Sequence, residues 1–341
     1  MKDWYKMMNE TKEKFSPGLI GKMKGTTIAN LILTQECAKR CSFCFTGDYS
    51  KKTEMSLDFI DRLLKHFSVS SLNLLGGEPT QHRNFTKIIE KLIKYNVEYQ
   101  LTSNLLFSKS ILEFLSKNTK CRIGLLANGM ELFEKRNRFK TFKRNYNELC
   151  KTSGVMEEGL VLAFTLSQKS TPELFRKYIN TLKNELTDMS IIRIGLDLSN
   201  TDIANNTMYG DTIRAIQEGL PRCSIRFDCQ IPPCIFNYDP NKILYRYIHN
   251  ISNCVFAGMD TFYDKSCILC FQTRHIKVNN IFDFNSMLEL KKELRTQYKE
   301  KERSVDILKV CKTCDYYLDN RCNSLCVGCY TGGHGLNPAE I

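Results

Sequence analysis

The sequence has no run of the roughly eighteen or more apolar residues that a membrane-crossing helix needs. Its opening, Met1-Lys2-Asp3-Trp4-Tyr5-Lys6-Met7-Met8-Asn9-Glu10, is charged throughout and has no apolar signal core, so a cytoplasmic location is expected. There is no phosphate-binding loop, no dinucleotide fingerprint and no internal repeat beyond an alternation of strand-like and helix-like segments. The five histidines, His66, His82, His249, His275 and His334, are scattered with no two at ligand spacing. His82 follows a Gly-Gly-Glu-Pro stretch and reads either as lining a site or as a hydrogen-bonded loop histidine.

Cysteine, in contrast, is abundant. The 341 residues contain 16 cysteines, and without a secretory signal that number points to metal rather than to disulfides. Five lie before residue 222, among them Cys121 and Cys150, which read as ordinary packed thiols. The other eleven fall beyond residue 222: Cys223, Cys229, Cys234, Cys254, Cys267, Cys270, Cys311, Cys314, Cys322, Cys326 and Cys329. The length suits two domains, or one large barrel with an appendage, and the 42% apolar content supports a sizeable core. The net charge of +12 suits an acidic peptide, a nucleic acid or simple solubility. Its densest part, Lys135 to Arg144, reads as a solvated helix face with Phe139 and Phe142 turned inward, or as a substrate-docking patch.

Apolar runs predict strands at 27–34, 71–75, 97–102, 122–126, 159–166 and 191–198. Helical spacing predicts helices at 56–67, 85–95, 110–116, a long basic stretch to about 151, then 172–186 and 212–219. Six strand-helix repeats imply parallel strands with helices packed outside. Such units hold ligands beyond the C-terminal ends of their strands. Three conspicuous segments share that end. Cys37-Ala38-Lys39-Arg40-Cys41-Ser42-Phe43-Cys44, a C-x3-C-x2-C loop, follows the first strand. Gly76-Gly77-Glu78-Pro79 follows the second, and Thr102-Ser103-Asn104 ends the third. Three thiolates on one loop can hold an iron-sulfur cluster and leave one iron open; zinc is the competing reading, although it favours paired cysteines. The two glycines allow close backbone approach, and a carboxylate suits an ammonium group.

The cysteine loop and the GGEP segment together resemble those of the radical S-adenosylmethionine (radical SAM) enzymes. The resemblance implies a partial (βα)6 TIM-like barrel over residues 26–222, after a lead-in at 1–25. It implies a [4Fe–4S] cluster on Cys37, Cys41 and Cys44, with Phe43 next to the adenine of SAM. Gly76, Gly77, Glu78 and Pro79 would meet the SAM amino group, and Ser103 and Asn104 the ribose, although Ser and Asn also favour plain turns. Ser167 and Gln168 at the end of the fifth strand have the same double reading. Arg193 and Asp197 on the sixth strand would face the interior or pair on the surface.

Residues 223–341 resemble the SPASM extension of that family, a small cysteine-rich α+β unit with auxiliary [4Fe–4S] clusters. The last five cysteines run C-x2-C-x7-C-x3-C-x2-C. By resemblance Cys311, Cys314, Cys322 and Cys329 would hold one cluster. Cys254, Cys270 and Cys326, with Cys229 or Cys234, would hold the other; a shorter "twitch" form would hold one cluster only. Lys265 stands where the family has a hairpin glycine, so either Asp264 takes up the turn or Cys267 replaces Cys270 as ligand. The resemblance implies cleavage of SAM to a 5′-deoxyadenosyl radical and hydrogen abstraction from a ribosomally made peptide or protein (RiPP maturation). An external flavodoxin- or ferredoxin-type electron donor is implied as well. The alternatives are a radical SAM enzyme acting on a small metabolite and, from another class, a zinc-stabilised, non-catalytic nucleic-acid-binding protein.

Overall fold

The computed structural model describes residues 29–39, 41, 44, 53–129, 136–153, 159–167, 169–196, 208–227, 259–304 and 309–319. Phe43, Gln168, Asp197, Cys229, Cys234, Cys254, Cys322, Cys326 and Cys329 lie outside the described residues.

The strand-helix alternation is present. In chain order it runs β1 (Ala29–Ile32), α1 (Leu57–His66), β2 (Ser71–Leu75), α2 (Phe85–Lys94), β3 (Glu98–Ser103), α3 (Lys109–Lys117) and β4 (Arg122–Asn128). It continues with α4 (Arg136–Ser153), β5 (Gly159–Leu166), α5 (Pro172–Glu185), β6 (Ile191–Leu196) and α6 (Met208–Gly219). A further strand, β7 (Ser224–Phe227), pairs parallel with β6. The order β1-β2-β3-β4-β5-β6-β7 is parallel throughout, the arrangement of a partial TIM-like barrel.

Local chemistry starts the helices. The hydroxyls of Ser56, Ser108 and Thr171 accept from the backbone N–H three residues on, at 3.0, 3.4 and 3.3 Å, so each caps one orphan donor. Pro172 then occupies the first position of α5, where its missing N–H costs nothing. One face of each strand, including Leu31, Leu72, Leu74, Tyr99, Leu101, Leu125 and Ile192, packs against Ile60, Ile88, Leu115, Tyr146 and Phe175 of the helices in one buried core. At roughly 1.5–3 kcal/mol per buried large aliphatic side chain, this layer is what holds the sheet to its helices.

Arg122 is buried at 1% exposure and has no carboxylate among its hydrogen-bond partners. Its guanidinium donates to the Leu115 carbonyl at 2.8 Å and to the Thr152 hydroxyl at 3.2 Å. Both partners lie in the C-terminal turns of helices, α3 and α4, where the helix dipoles favour a cation. Burial lowers its pKa.

Beyond β7 the described chain adds β8 (Met259–Thr261), β9 (Cys267–Ile268), β10 (Lys277–Val278), α7 (Met287–Ser304), α8 (Lys309–Lys312) and α9 (Asp315–Leu318). β8 runs parallel to β1 at its free edge, and β9 and β10 follow antiparallel, so this region extends the barrel sheet. Phe282 secures it to α1, edge-on to Phe59 at 5.6 Å and beneath the Arg62 guanidinium at 4.0 Å.

In the β8–β9 hairpin Lys265 itself takes the left-handed conformation, φ 72°. Asp264 braces the turn, its carboxylate accepting from the Ser266 N–H at 3.0 Å and hydroxyl at 2.6 Å. A residue with a Cβ is strained there by roughly 1 kcal/mol or more. Lys265→Gly is therefore expected to raise stability by about 1 kcal/mol; a urea titration in which the midpoint falls or stays put would refute this. Cys267 is buried and its thiol is pushed up to about 12 by that burial, whereas Cys270 is half-buried beside the Thr273 hydroxyl at 3.3 Å. Among the described residues no helix is long and apolar enough to cross a membrane.

Candidate functional site

β1, β2 and β3 are neighbours in the sheet, so the segments that follow them meet at one end. The meeting is close. Gly77 N–H donates to the Thr34 carbonyl at 2.7 Å and Glu78 N–H to the Glu36 carbonyl at 2.8 Å. A Cβ on Gly76 would lie 2.4 Å from the Thr34 oxygen, and one on Gly77 would lie 2.4 Å from the Glu36 oxygen. Gly76 also has φ 154°. The two glycines thus let the second strand's end lie directly on the chain leading into Cys37.

Glu78 ties this pair to β3. It is 1% exposed. Its Oε1 accepts from the Thr80 N–H at 3.3 Å, the Thr80 hydroxyl at 2.7 Å and the Ser103 hydroxyl at 2.8 Å. Its Oε2 accepts from the Asn104 N–H at 2.7 Å. Burial raises its pKa, and the four donors pull it back in part. Pro79 opens the single turn Pro79–Gln81 that follows. Ser103 and Asn104 serve as turn formers too, accepting from Leu105 N–H at 3.0 Å and Leu106 N–H at 2.8 Å.

Cys37 sits beside this clasp. The Lys39 N–H at 3.4 Å and the Asn104 side-chain amide at 3.6 Å both donate to its sulfur. Its pKa is raised first by burial, then by the nearby charges of Glu78 and Cys44, against the opposing pull of Lys39. Cys44 N–H donates to the Cys41 carbonyl at 3.1 Å, closing the loop's last turn. A half-buried sulfur beside Glu78 and Cys44 suits a cationic partner, and N–H groups aimed at sulfur are what an iron-sulfur ligand uses. The donor chemistry of the loop therefore fits a cluster. Among the described residues no three Cys, His, Asp or Glu side chains converge on a single metal ion.

His82 is not a site residue but a structural one. It is buried, its Nε2 lies 2.9 Å from the Met55 carbonyl, and its Nδ1 accepts from the Asn84 N–H at 3.0 Å. Ser167 lies in a tight turn with Lys169 and Ser170. Arg193 lies between Ile192 and Ile194, both in the helix-side core, so alternation places it on the inner face. Asn145 is the residue that the sequence reading missed. It is fully buried on α4, and its amide donates to the carbonyls of Leu105 at 2.8 Å and Phe107 at 3.0 Å. It thereby holds the loop after Asn104, where Leu105 has φ 55°. An asparagine inside a helix, where it is a poor former, was the available signal. Arg138, from the basic stretch of the same helix, donates to the Ala38 carbonyl in the cysteine loop at 3.2 Å.

Residues 31–152 match the Radical SAM superfamily. Over that stretch the chain is similar to a radical SAM domain. Two curated relatives, the probable GTP 3′,8-cyclases of Thermococcus kodakarensis and Pyrococcus abyssi, are each 31% identical over 87 residues. That is 24% of this chain, and the match spans only 28% of each relative's length. Among solved structures, Streptococcus suis SuiB bound to its precursor peptide SuiA superimposes with a TM-score of 0.62 at 14% identity, over 94% of this chain and 75% of that one. SuiB bound to S-adenosylmethionine gives 0.56 at 14% identity, over 86% of this chain and 71% of SuiB. The strand-helix sheet and the region beyond it therefore share a fold with SuiB. In the matched stretch the cysteine loop, the GGEP segment and Ser103-Asn104 are the parts brought together, whereas Cys270, Cys311 and Cys314 belong to the later region. There, Cys314 N–H donates to the Cys311 carbonyl at 3.2 Å.

Proposed function

We propose that the protein is a radical SAM enzyme that modifies a ribosomally made peptide or protein. The observation that carries this reading is the hydrogen-bonded clasp joining the cysteine loop, GGEP and Ser103-Asn104. The fold shared with SuiB, whose structure contains a precursor peptide, supports the substrate class. Cys37, Cys41 and Cys44 would hold a [4Fe–4S] cluster beside bound SAM. The two together would supply a 5′-deoxyadenosyl radical that takes hydrogen from an unactivated C–H bond.

The chain's own part is placement. Both Glu78 oxygens are engaged within the protein and hold the ends of β2 and β3 together, and the GGEP segment would meet a ligand through its backbone. The Asn104 and Lys39 N–H groups stabilise negative charge on the Cys37 sulfur. Phe43 would lie by the adenine, with Ser103 and Asn104 near the ribose. In the later region Cys270, Cys311 and Cys314, with Cys254, Cys322, Cys326, Cys329 and either Cys229 or Cys234, would hold one or two auxiliary clusters. A flavodoxin- or ferredoxin-type protein would deliver the electron. The partial match to GTP 3′,8-cyclases favours a second reading, a small nucleotide as substrate.

The test uses protein reconstituted without oxygen. About twelve irons per chain would fit three clusters and about eight would fit two. SAM and reductant should yield 5′-deoxyadenosine, and Cys37→Ala should reduce that yield to background. Zinc in place of iron, with SAM left intact, would sink the reading.

A further inference from the structure

On the inner face of the sheet, below the clasp, lies a row of polar side chains. Strand register aligns Asp260 on β8 with Asn30 on β1, Asn73 on β2 and Gln100 on β3. The residues that alternate with them, Leu31, Leu72, Leu74, Tyr99 and Leu101, pack against the helices, so the row faces the other way. Gln100 precedes Ser103 by three residues, which puts the row about 10 Å below the clasp at strand rise.

The row has a direction. Asn30 Nδ2 donates to Asp260 Oδ1 at 2.7 Å, and Asn73 Nδ2 donates to Asn30 Oδ1 at 2.9 Å. The Asp260 oxygen is an acceptor, so it fixes which end of each amide points which way. Asn73 is left presenting its oxygen. That oxygen has no hydrogen-bond partner, and neither has Gln100 Nε2, although both atoms are buried and Gln100 is 7% exposed. Native interiors rarely leave such groups unmade. Here an acceptor and a donor are left open side by side on adjacent strands.

We propose that Asn73 and Gln100 form a recognition pair for an amide edge of the substrate, Asn73 Oδ1 taking its N–H and Gln100 Nε2 giving to its C=O. A glutamine or asparagine side chain offers that pair of groups. The opposite part of the inner face, Leu126, Val161 and Ala163, is an apolar cluster and offers an amide nothing. A substrate held by its amide on the β2–β3 side would place atoms about 10 Å away at the clasp, where the reacting hydrogen must lie. This deepens the proposed function and rests on its placing of substrate on the inner face.

The experiment is a thermal-shift and calorimetric titration of the reconstituted full chain with three probes: Gly-Gln-Gly, Gly-Glu-Gly and GTP. Gly-Gln-Gly should bind at least about tenfold more tightly than Gly-Glu-Gly, because a site built for an amide rejects a group that cannot donate. Gln100→Leu and Asn73→Leu should each remove that preference. Should Asn73→Leu fail to fold, Gln100→Leu decides alone, since it deletes an unpaired donor rather than a used one. Preferential binding of GTP that the same substitutions abolish would overturn the peptide assignment in favour of a nucleobase edge. Equal binding of all probes, or a preference that survives both substitutions, would overturn the pair itself. So would a crystal structure with a single water bridging the two amides and no bound probe. None of these readouts requires SAM cleavage, so a chain that binds Gly-Gln-Gly but makes no 5′-deoxyadenosine would count against the radical chemistry and not against the pair.

Discussion

Glu78→Ala should cost about 3–5 kcal/mol of folding stability, as expected when one partner of a buried charged network is removed. Four donors converge on this one carboxylate: the Thr80 N–H and hydroxyl, the Ser103 hydroxyl and the Asn104 N–H. None can turn to solvent, because Thr80, Ser103 and Asn104 are all buried. Each donor left unmade costs about 1–3 kcal/mol, and partial collapse of the site keeps the total below their sum. Glu78→Gln should lie in between. A Gln oxygen can serve Thr80 and Ser103, but its amide then faces the Asn104 N–H, donor against donor, at a cost of about 1–3 kcal/mol. Urea unfolding of the three proteins gives the order wild type, Gln, Ala. A loss below 1 kcal/mol for Ala would mean that the clasp does not hold β2 to β3. If the Ala variant does not fold, the position of Gln relative to wild type decides.

That clasp marks how far the sequence could be read. The strands with apolar-rich runs, Ser71–Leu75 and Gly159–Leu166, have the bounds that their composition predicts, because both faces of a parallel strand are covered. Strand β7, Ser-Ile-Arg-Phe, and β8, Met-Asp-Thr, are short and carry charge. Neither shows a run, and each is a strand only because a neighbour's edge is there to pair with. The C-terminal ends of β1, β2 and β3 were legible as one site, since alternation alone places them together. What their side chains do there was not. The sequence alone does not show that the Glu78 oxygens accept from residues 2, 25 and 26 positions away. Asn30 and Asn73 look like blemishes in apolar runs until register aligns them with each other and with Asp260. Register is set by pairings 43 and 230 residues apart, and no local pattern encodes it.

Asp260 at the end of that row carries the second large effect. Burial pushes its carboxyl up to about 7, against the lowering influence of the Asn30 amide and the Phe271 N–H. Unfolded, it would titrate near its ordinary value of 3.8. Between those two values the native protein holds a proton that the unfolded chain has released, so stability falls as pH rises. The contribution is present in full below about pH 4 and lost as the pH passes through about 7, after which the curve flattens. The total is about 4 kcal/mol at roughly 1.4 kcal/mol per unit. Asp260→Asn keeps an oxygen for Asn30 and removes the titration. The variant should therefore match wild type most nearly at acid pH and exceed it by up to about 4 kcal/mol at pH 8. Because every other titrating group is common to both proteins, the difference between their denaturation midpoints at pH 5 and pH 8 isolates this one carboxyl. A difference that does not change between those pH values would show that Asp260 is ionised in the folded chain across that range. The Asn30 and Asn73 amides would then be oriented by a full negative charge, not by a neutral acid, and the acceptor that Asn73 presents to the interior would be held the more firmly for it.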